Sequence, residues 1–170
     1  MLNCGLPPAV GGRKTGVIHM ISLELLRRYP FFAGLDEAEL KAIAMIAEEV
    51  RVPAKTILFE EGQPADALFL LLEGSVDLSF NSPLGLAEQV HIGEVNPGEP
   101  FAISALITPH MLKHTARAGT TIHAIKIAAS PLCAMCENDA RVGYLMMRKV
   151  AEGAMERLHF TRIQLAAAQA

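Results

Sequence analysis

The sequence predicts an α+β fold: an antiparallel β jelly roll (a double-stranded β-helix) flanked by N-terminal helices and a long C-terminal helix. Three observations predict it. Apolar residues recur at helical spacing up to about residue 50, short runs separated by turn residues follow, and helical spacing returns at Ser130. We divide the chain into a flexible Gly- and Pro-rich arm (residues 1–19), the jelly roll with its flanking helices (20–137) and a long C-terminal helix (138–170).

The N-terminal helices are predicted from their caps. Ser22 precedes a short leucine-rich helix that Pro30 ends. Asp36 begins a second helix, and Glu39 three residues later completes a capping box. We expect this second helix to extend to residue 50. Its buried face is predicted to hold Leu40, Ile43, Ala44 and Ala47.

The central part of the chain, from Val52 onward, consists of short apolar runs at even spacing. Turn-forming segments around Gly62, Gly74 and Gly98 separate the runs. In the run SVDLSF, alternate residues are apolar, which places Val76 and Leu78 on one face of a strand together with Phe80. About eight such strands favour two antiparallel sheets that close into a roll.

The C-terminal part is predicted to be helical again. Ser130 and Pro131 are typical of the first positions of a helix, which we expect to run to about Glu137. Asn138 or Asp139 then caps a long helix that extends to about residue 168.

The long helix carries two apolar stripes. The narrower one, Val142, Met146 and Val150, is expected to pack back on the roll. The wider one follows the alternating three- and four-residue spacing of a coiled coil, and we predict that it forms a dimer seam because one small domain cannot cover both stripes. The predicted seam consists of Tyr144, Met147, Ala151, Ala154, Leu158, Thr161, Leu165 and Ala168.

Composition excludes several classes of protein. The net charge of −3 and a pI of about 6.1 give no general attraction to nucleic acid or anionic membranes. No apolar stretch is long enough to span a membrane. Three cysteines do not make a disulfide framework, which favours a reducing compartment. We therefore expect a cytoplasmic protein without membrane contact.

Four segments occur in order with the spacing of a known family: 57–66 (ILFEEGQPAD), 68–76 (LFLLLEGSV), 95–101 (VNPGEPF) and 156–165 (ERLHFTRIQL). In these segments, which lie within residues 23–165, the chain resembles the cyclic nucleotide-binding domains of the bacterial catabolite-activator and fumarate-nitrate regulators. The resemblance implies an eight-stranded jelly roll with a phosphate-binding cassette between two late strands. It also implies a C-terminal helix that covers the nucleotide and dimerises, with Arg157 and Leu158 as lid residues.

The cassette implied by the resemblance departs from the family pattern in its side chains. The Phe-Gly-Glu-x-x-Leu-Leu pattern falls on residues 101–107, where Ala102 replaces the glycine and Ile103 replaces the ribose-binding glutamate. The Arg-x-Ala pattern falls on residues 113–115 or one residue to either side, where lysine supplies a point charge instead of a guanidinium fork. An unpaired ribose hydroxyl costs roughly 1–3 kcal/mol, so we expect weak or absent binding of cAMP. The candidate ligand-binding residues are Phe101, Ala102, Ile103, Ser104, Ala105, Lys113, His114 and Thr115.

Other chemistry is less well supported. Cys133 and Cys136 share a helix face and suggest a thiol pair, but a metal site requires further ligands, for which His123 and Cys4 are the candidates. The chain has no His-x-His pair of the kind that jelly-roll metalloenzymes use, and haem ligation by His159, His123 or Cys4 is a weaker alternative. An anion site near His110, Lys113 and His114 is a further alternative. We assign no catalytic residue, metal or cofactor.

The sequence therefore predicts a non-enzymatic, cyclic-nucleotide-binding-like sensor that binds a small effector and signals through its C-terminal helix to a dimer or a protein partner. The first alternative is a ligand-free interaction or dimerisation module that has lost nucleotide binding, and the second is a haem or metal sensor. No helix-turn-helix pattern follows the long helix, so we expect no direct DNA binding by this chain.

Overall fold

A computed structural model of the protein describes residues 21–81 and 89–168. The predicted N-terminal arm lies outside the described residues. The helices are α1 (Leu23–Arg27), α2 (Glu37–Met45), α3 (Ala129–Asn138) and α4 (Ala140–Ala168), and a short 3-10 turn spans Pro30–Phe32. The strands are β1 (Ala47–Val52), β2 (Ile57–Phe59), β3 (Ala67–Glu73), β4 (Val76–Asn81), β5 (Gln89–Val95), β6 (Pro100–Phe101), β7 (Thr115–Ala118) and β8 (Ile122–Ala128).

The eight strands form two four-stranded antiparallel sheets, ordered β1-β8-β3-β6 and β2-β7-β4-β5. This arrangement confirms the predicted jelly roll with helices on either side of it in the chain. β3 is the most completely buried strand, with six of its seven residues buried. β4 shows the predicted alternation, since Val76 and Leu78 are buried and Asp77 is half-buried. The sheets therefore enclose a single apolar core.

The turn between β3 and β4 requires glycine at residue 74. Gly74 has φ +88°, and a Cβ atom there would lie 2.6 Å from the carbonyl oxygen of Thr121. A side chain would therefore be strained and would collide with the neighbouring β7–β8 turn.

Several predicted helix ends are confirmed. The Asp36 carboxylate accepts a hydrogen bond from the Glu39 backbone N–H at 2.9 Å, and Glu39 completes the capping box. The Asp139 carboxylate accepts hydrogen bonds from the backbone N–H groups of Arg141 and Val142, at 2.9 and 3.2 Å. These caps fix where α2 and α4 begin.

The second helix is shorter than predicted. It ends at Met45, and residues 47–52 form β1, which pairs with β8 from Ala47 opposite Ile127 to Val52 opposite Ile122. Pairing with a strand about 75 residues away outweighs the local helical pattern, because strand formation depends on its partners more than on propensity. Ala47 is buried as expected, but in a strand.

The start of α3 also differs by a small amount. The helix begins at Ala129, with Ala128 in the cap position, so Ser130 and Pro131 lie inside the first turn. Proline is tolerated there because the first turn has no intrahelical partner for its missing N–H. α3 and α4 then pack against each other and close one end of the roll.

Candidate functional site

The cassette segment keeps an unusual backbone although its glycine position holds alanine. Ala102 has φ +56° and ψ +36°, a left-handed conformation that suits glycine, and its side chain is buried. A short 3-10 turn, Ile103–Leu106, follows it. The strained residue places Ile103 and Ser104 in half-buried positions at the end of β6.

The carbonyl oxygen of Ala105 anchors this segment to the rest of the domain. It accepts a hydrogen bond from Nδ1 of His110 at 3.0 Å and from the thiol of Cys133 at 3.4 Å. Cys133 therefore ties the cassette segment to α3, and α3 in turn packs on α4. The contact gives one member of the predicted thiol pair a structural role.

Aromatic rings fill the interior of the roll beneath the cassette segment. Phe59, Phe69 and Phe101 are buried, and the centroid distances within the group are between 5.0 and 6.2 Å. The ring of His114 lies 6.1 Å from that of Phe59 and extends the group. We call these four side chains the aromatic cluster. Phe101 is therefore a core residue, and no local pattern predicts that rings 42 residues apart in the chain, Phe59 and Phe101, come together.

In the segment before β7, neighbouring side chains point in opposite directions, to solvent or into the domain. Lys113 is exposed, whereas His114 and Thr115 on the following positions are buried. The Thr115 hydroxyl accepts a hydrogen bond from the Glu61 backbone N–H at 3.1 Å. Of the residues of the alternative anion site, Lys113 is therefore exposed, His110 is half-buried and His114 is buried.

His114 is a buried imidazole with an unsatisfied nitrogen. Only 8% of the residue is exposed, and among the described residues Nε2 has no hydrogen-bond partner. Burial, with a further contribution from the positive charge of Arg157, lowers the pKa of His114 from 6.5 to about 4, and Glu61 opposes the shift. His114 is therefore neutral at physiological pH.

A cavity of about 390 Å³ lies between α4, β5 and the loop before β6. Its size is at the lower end of the range for small-molecule sites. Apolar side chains line one part of it: Phe31, Ile92, Pro100 and Phe160. Charged side chains line the rest: Glu94, Glu99, Glu152, Glu156, Lys149 and Arg157. Sequence reasoning identified Arg157 among these residues and missed the contributions of β5 and the 3-10 turn at Phe31.

The two predicted lid residues separate. Arg157 is half-buried and lines the cavity, whereas Leu158 is 50% exposed and lies outside its lining. Consecutive residues of a helix differ by about 100° in direction, so they cannot both point inward. Leu158 instead lies with the other seam residues through Leu165, and every one of those from Tyr144 onward is exposed. Val142, Met146 and Val150 are buried against the domain, as predicted.

The remaining candidates do not form a second site. Burial, with the nearby thiol of Cys133, raises the pKa of the Cys136 thiol to about 11, which makes it a poor nucleophile. Nε2 of His123 donates a hydrogen bond of 2.8 Å to a carboxylate oxygen of Glu49. Over residues 21–81 and 89–168, no three His, Cys, Asp or Glu side chains are placed to hold a metal ion. Cys4 lies outside the described residues.

The two sheets, the cassette backbone and the long helix beside the cavity define a jelly-roll domain with a C-terminal helix. The family model of the cyclic nucleotide-binding domain matches residues 49–139. The chain belongs to the cyclic nucleotide-binding domain family.

Individual proteins are similar to this chain in sequence or in structure. A crystal structure from Geobacter metallireducens GS-15, described as a cyclic nucleotide-binding protein, is 40% identical with a TM-score of 0.74, over 82% of this chain and 100% of that one. A cyclic nucleotide-gated potassium channel of Mesorhizobium japonicum is 25% identical over 76% of this chain and 34% of its own length. A CRP-like cAMP-activated global transcriptional regulator of Mycobacterium tuberculosis is 23% identical over 75% of this chain and 56% of its own length.

The chain thus spans about a third to somewhat over half of the curated relatives it matches. By their names, the channel is gated by cyclic nucleotides and the transcriptional regulator is activated by cAMP. In the described ranges, no helix combines the length and the apolar character that crossing a membrane requires.

Proposed function

We propose that this chain is a regulatory sensor module that binds a small effector in the cavity beneath α4 and transmits its presence through α4 to a second copy of the chain or to a protein partner. One observation carries the proposal. The inward face of α4 lines the cavity with Lys149, Gly153 and Arg157, while the outward face exposes an apolar stripe at coiled-coil spacing. A ligand that contacts the inward face of α4 changes the position or order of this helix, and with it the position of the apolar stripe on the outward face.

The site supports a ligand other than a firmly held cyclic nucleotide. The cassette segment, none of whose predicted ligand-binding residues lines this cavity, also offers little to a cyclic nucleotide, because Ile103 has no hydrogen-bond acceptor for a ribose and Lys113 is exposed. We therefore expect cAMP and cGMP to bind with dissociation constants no tighter than about 1 mM, which corresponds to about 4 kcal/mol of binding free energy. Isothermal titration calorimetry measures this directly, and a dissociation constant clearly below 1 mM for either nucleotide would contradict it.

The exposed apolar stripe of α4 supports a homodimer as the assembly through which the signal is transmitted. Sedimentation equilibrium should detect a dimer of the full chain, and Leu158→Glu should shift it to monomer because it buries a charge in the seam. The matched control is Ile163→Glu, which changes a similarly exposed apolar residue of the same helix outside the seam. A chain that stays monomeric, or a dimer that both variants affect equally, argues against a seam at these positions.

A ligand-free dimerisation module is the second candidate. The aromatic cluster favours it, because these buried rings stabilise the domain without a ligand. Hydrogen exchange of α4 distinguishes the two candidates, since only a sensor shows ligand-dependent protection of that helix.

A further inference from the structure

The guanidinium of Arg157 lines the cavity and has few partners among the described residues. It is half-buried in the cavity wall, and Nη2 donates one long hydrogen bond of 3.4 Å to the carbonyl oxygen of Pro100. A guanidinium has five N–H donors, so most of its capacity is unused there. In the part of the chain that the structure describes, Arg157 forms no salt bridge, whereas Nζ of the neighbouring cavity residue Lys149 lies 2.7 Å from a carboxylate oxygen of Glu152.

Among the described residues, no carboxylate lies within ion-pair distance of Arg157. Glu99 is the carboxylate that favours its charged form, but an oxygen of Glu99 already accepts a hydrogen bond from the backbone N–H of Asn96 at 3.0 Å. Burial lowers the pKa of Arg157. An anionic group of a ligand in the cavity would give this guanidinium a close partner.

The rest of the cavity wall restricts what that counter-ion is. Phe31, Ile92 and Phe160 provide an apolar surface for the body of a ligand. Four carboxylates, those of Glu94, Glu99, Glu152 and Glu156, border the same space and repel a ligand with several negative charges more strongly than a singly charged one. A planar, singly charged carboxylate matches the fork of an arginine with two parallel hydrogen bonds.

We infer that Arg157 is the receptor for the carboxylate of an effector with an apolar body, such as an aryl or short alkyl carboxylic acid. The anion then binds to α4 itself and not to the cassette segment. This inference rests on the proposed function and names the ligand class of that site. It makes α4 the element that senses the ligand directly, because the charged group binds to the helix that carries the dimer seam.

The test is isothermal titration of the full chain with a fixed panel: indole-3-acetate, phenylacetate and hexanoate, each paired with its uncharged amide, plus cAMP and inorganic phosphate. We expect at least one acid to bind at least about ten-fold more tightly than its amide, equivalent to about 1.4 kcal/mol. Arg157→Gln should abolish this preference, and Arg157→Lys should retain part of it as a point charge. Arg162→Gln is the matched control, since Arg162 is an exposed arginine of the same helix outside the cavity lining.

Four results overturn the inference: no acid of the panel binds, an acid and its amide bind equally, Arg157→Gln keeps the preference, or cAMP or phosphate binds through Arg157 more tightly than every acid. Circular dichroism of the variants shows whether each one folds, and Arg157→Lys provides the comparison if Arg157→Gln does not. A failed panel together with a dimer that Leu158→Glu dissociates removes this inference alone. A monomeric chain insensitive to Leu158→Glu removes the proposed dimer signal, whatever the panel shows.

Discussion

The ring of Phe101 stacks on the ring of Phe69, with centroids 5.0 Å apart and planes inclined by 19°. The two residues face each other across the β3–β6 pairing. This pair joins the first residue of the cassette segment to the most buried strand of the domain. The stacking therefore fixes where the cassette backbone begins and occupies interior space at the same time.

Replacing Phe101 by alanine should destabilise the domain strongly. Phe101 is fully buried, so its removal leaves a cavity in the core and breaks two ring contacts. We expect a loss of about 3–5 kcal/mol in the free energy of unfolding, measured by urea denaturation. Met155→Ala, at a residue that is 72% exposed, should change it by less than about 0.5 kcal/mol. Similar losses for both variants would show that Phe101 is not a core residue.

Two glycines of α4 should respond in opposite ways to alanine. At Gly143, a Cβ atom would lie 2.6 Å from the carbonyl oxygen of Cys136 in α3, so the two helices would have to separate. At Gly153, the nearest contact is the Pro100 side chain at 3.5 Å, which is an ordinary distance.

We therefore expect Gly143→Ala to lower the free energy of unfolding by about 1–3 kcal/mol. Gly153→Ala should raise it by about 0.5–1 kcal/mol because alanine favours the helix. Thermal and urea denaturation of the two variants check the difference in sign. If both are stabilising, α3 and α4 are not in the close contact seen here.

Lys55 is a second residue held in the left-handed conformation, with φ +69°, at an exposed turn. Glycine adopts this conformation without the steric cost of a side chain, and the backbone N–H keeps its bond of 2.6 Å to the carbonyl oxygen of Ala118. Lys55→Gly should therefore stabilise the protein by about 0.5–1 kcal/mol, after the larger entropy loss of glycine is counted. Lys113→Gly is the control, and it should be neutral or destabilising because Lys113 is exposed without a positive φ.

The sequence predicted the parts of the fold that local chemistry determines. The capping box at Asp36 and Glu39 and the cap at Asp139 depend on hydrogen bonds within three residues, and both are present. The helix predicted through residue 50 was wrong from residue 46 onward, because β1 forms through pairing with distant β8. Local patterns carry no information on such partners.

The candidate site was predictable only in part. The family resemblance predicted Arg157 as a lid residue. Once the inward stripe of α4 is known, helical spacing predicts that Leu158 points away from the domain. The three phenylalanines of the aromatic cluster come from β2, β3 and β6. They meet only when the roll closes, so no local pattern predicts the cluster. The burial of His114 was predictable from the sequence pattern. Leu112 and His114 lie on either side of Lys113 at the two-residue period of a strand, and both are buried whereas Lys113 is exposed.

The buried imidazole of His114 should make the protein less stable in mild acid. The folded protein holds the pKa of His114 at about 4, below its ordinary value of 6.5, so the unfolded chain binds a proton first as the pH falls. The stabilisation is complete above about pH 6.5 and is lost progressively as the pH falls toward 4. Between about pH 7.5 and about pH 5 we expect a loss of about 2 kcal/mol from this residue.

Urea denaturation of wild-type protein and His114→Leu at both pH values isolates this effect from other titrating groups. The variant should match wild type within about 1 kcal/mol at the higher pH, because leucine suits the apolar site and removes an unsatisfied nitrogen. It should be the more stable protein at the lower pH, because it has no proton to take up there. Parallel losses in the two proteins would show that His114 is protonated as easily in the fold as in the unfolded chain. The charge of Arg157 contributes to the shift, so Arg157→Gln should give a dependence between the two.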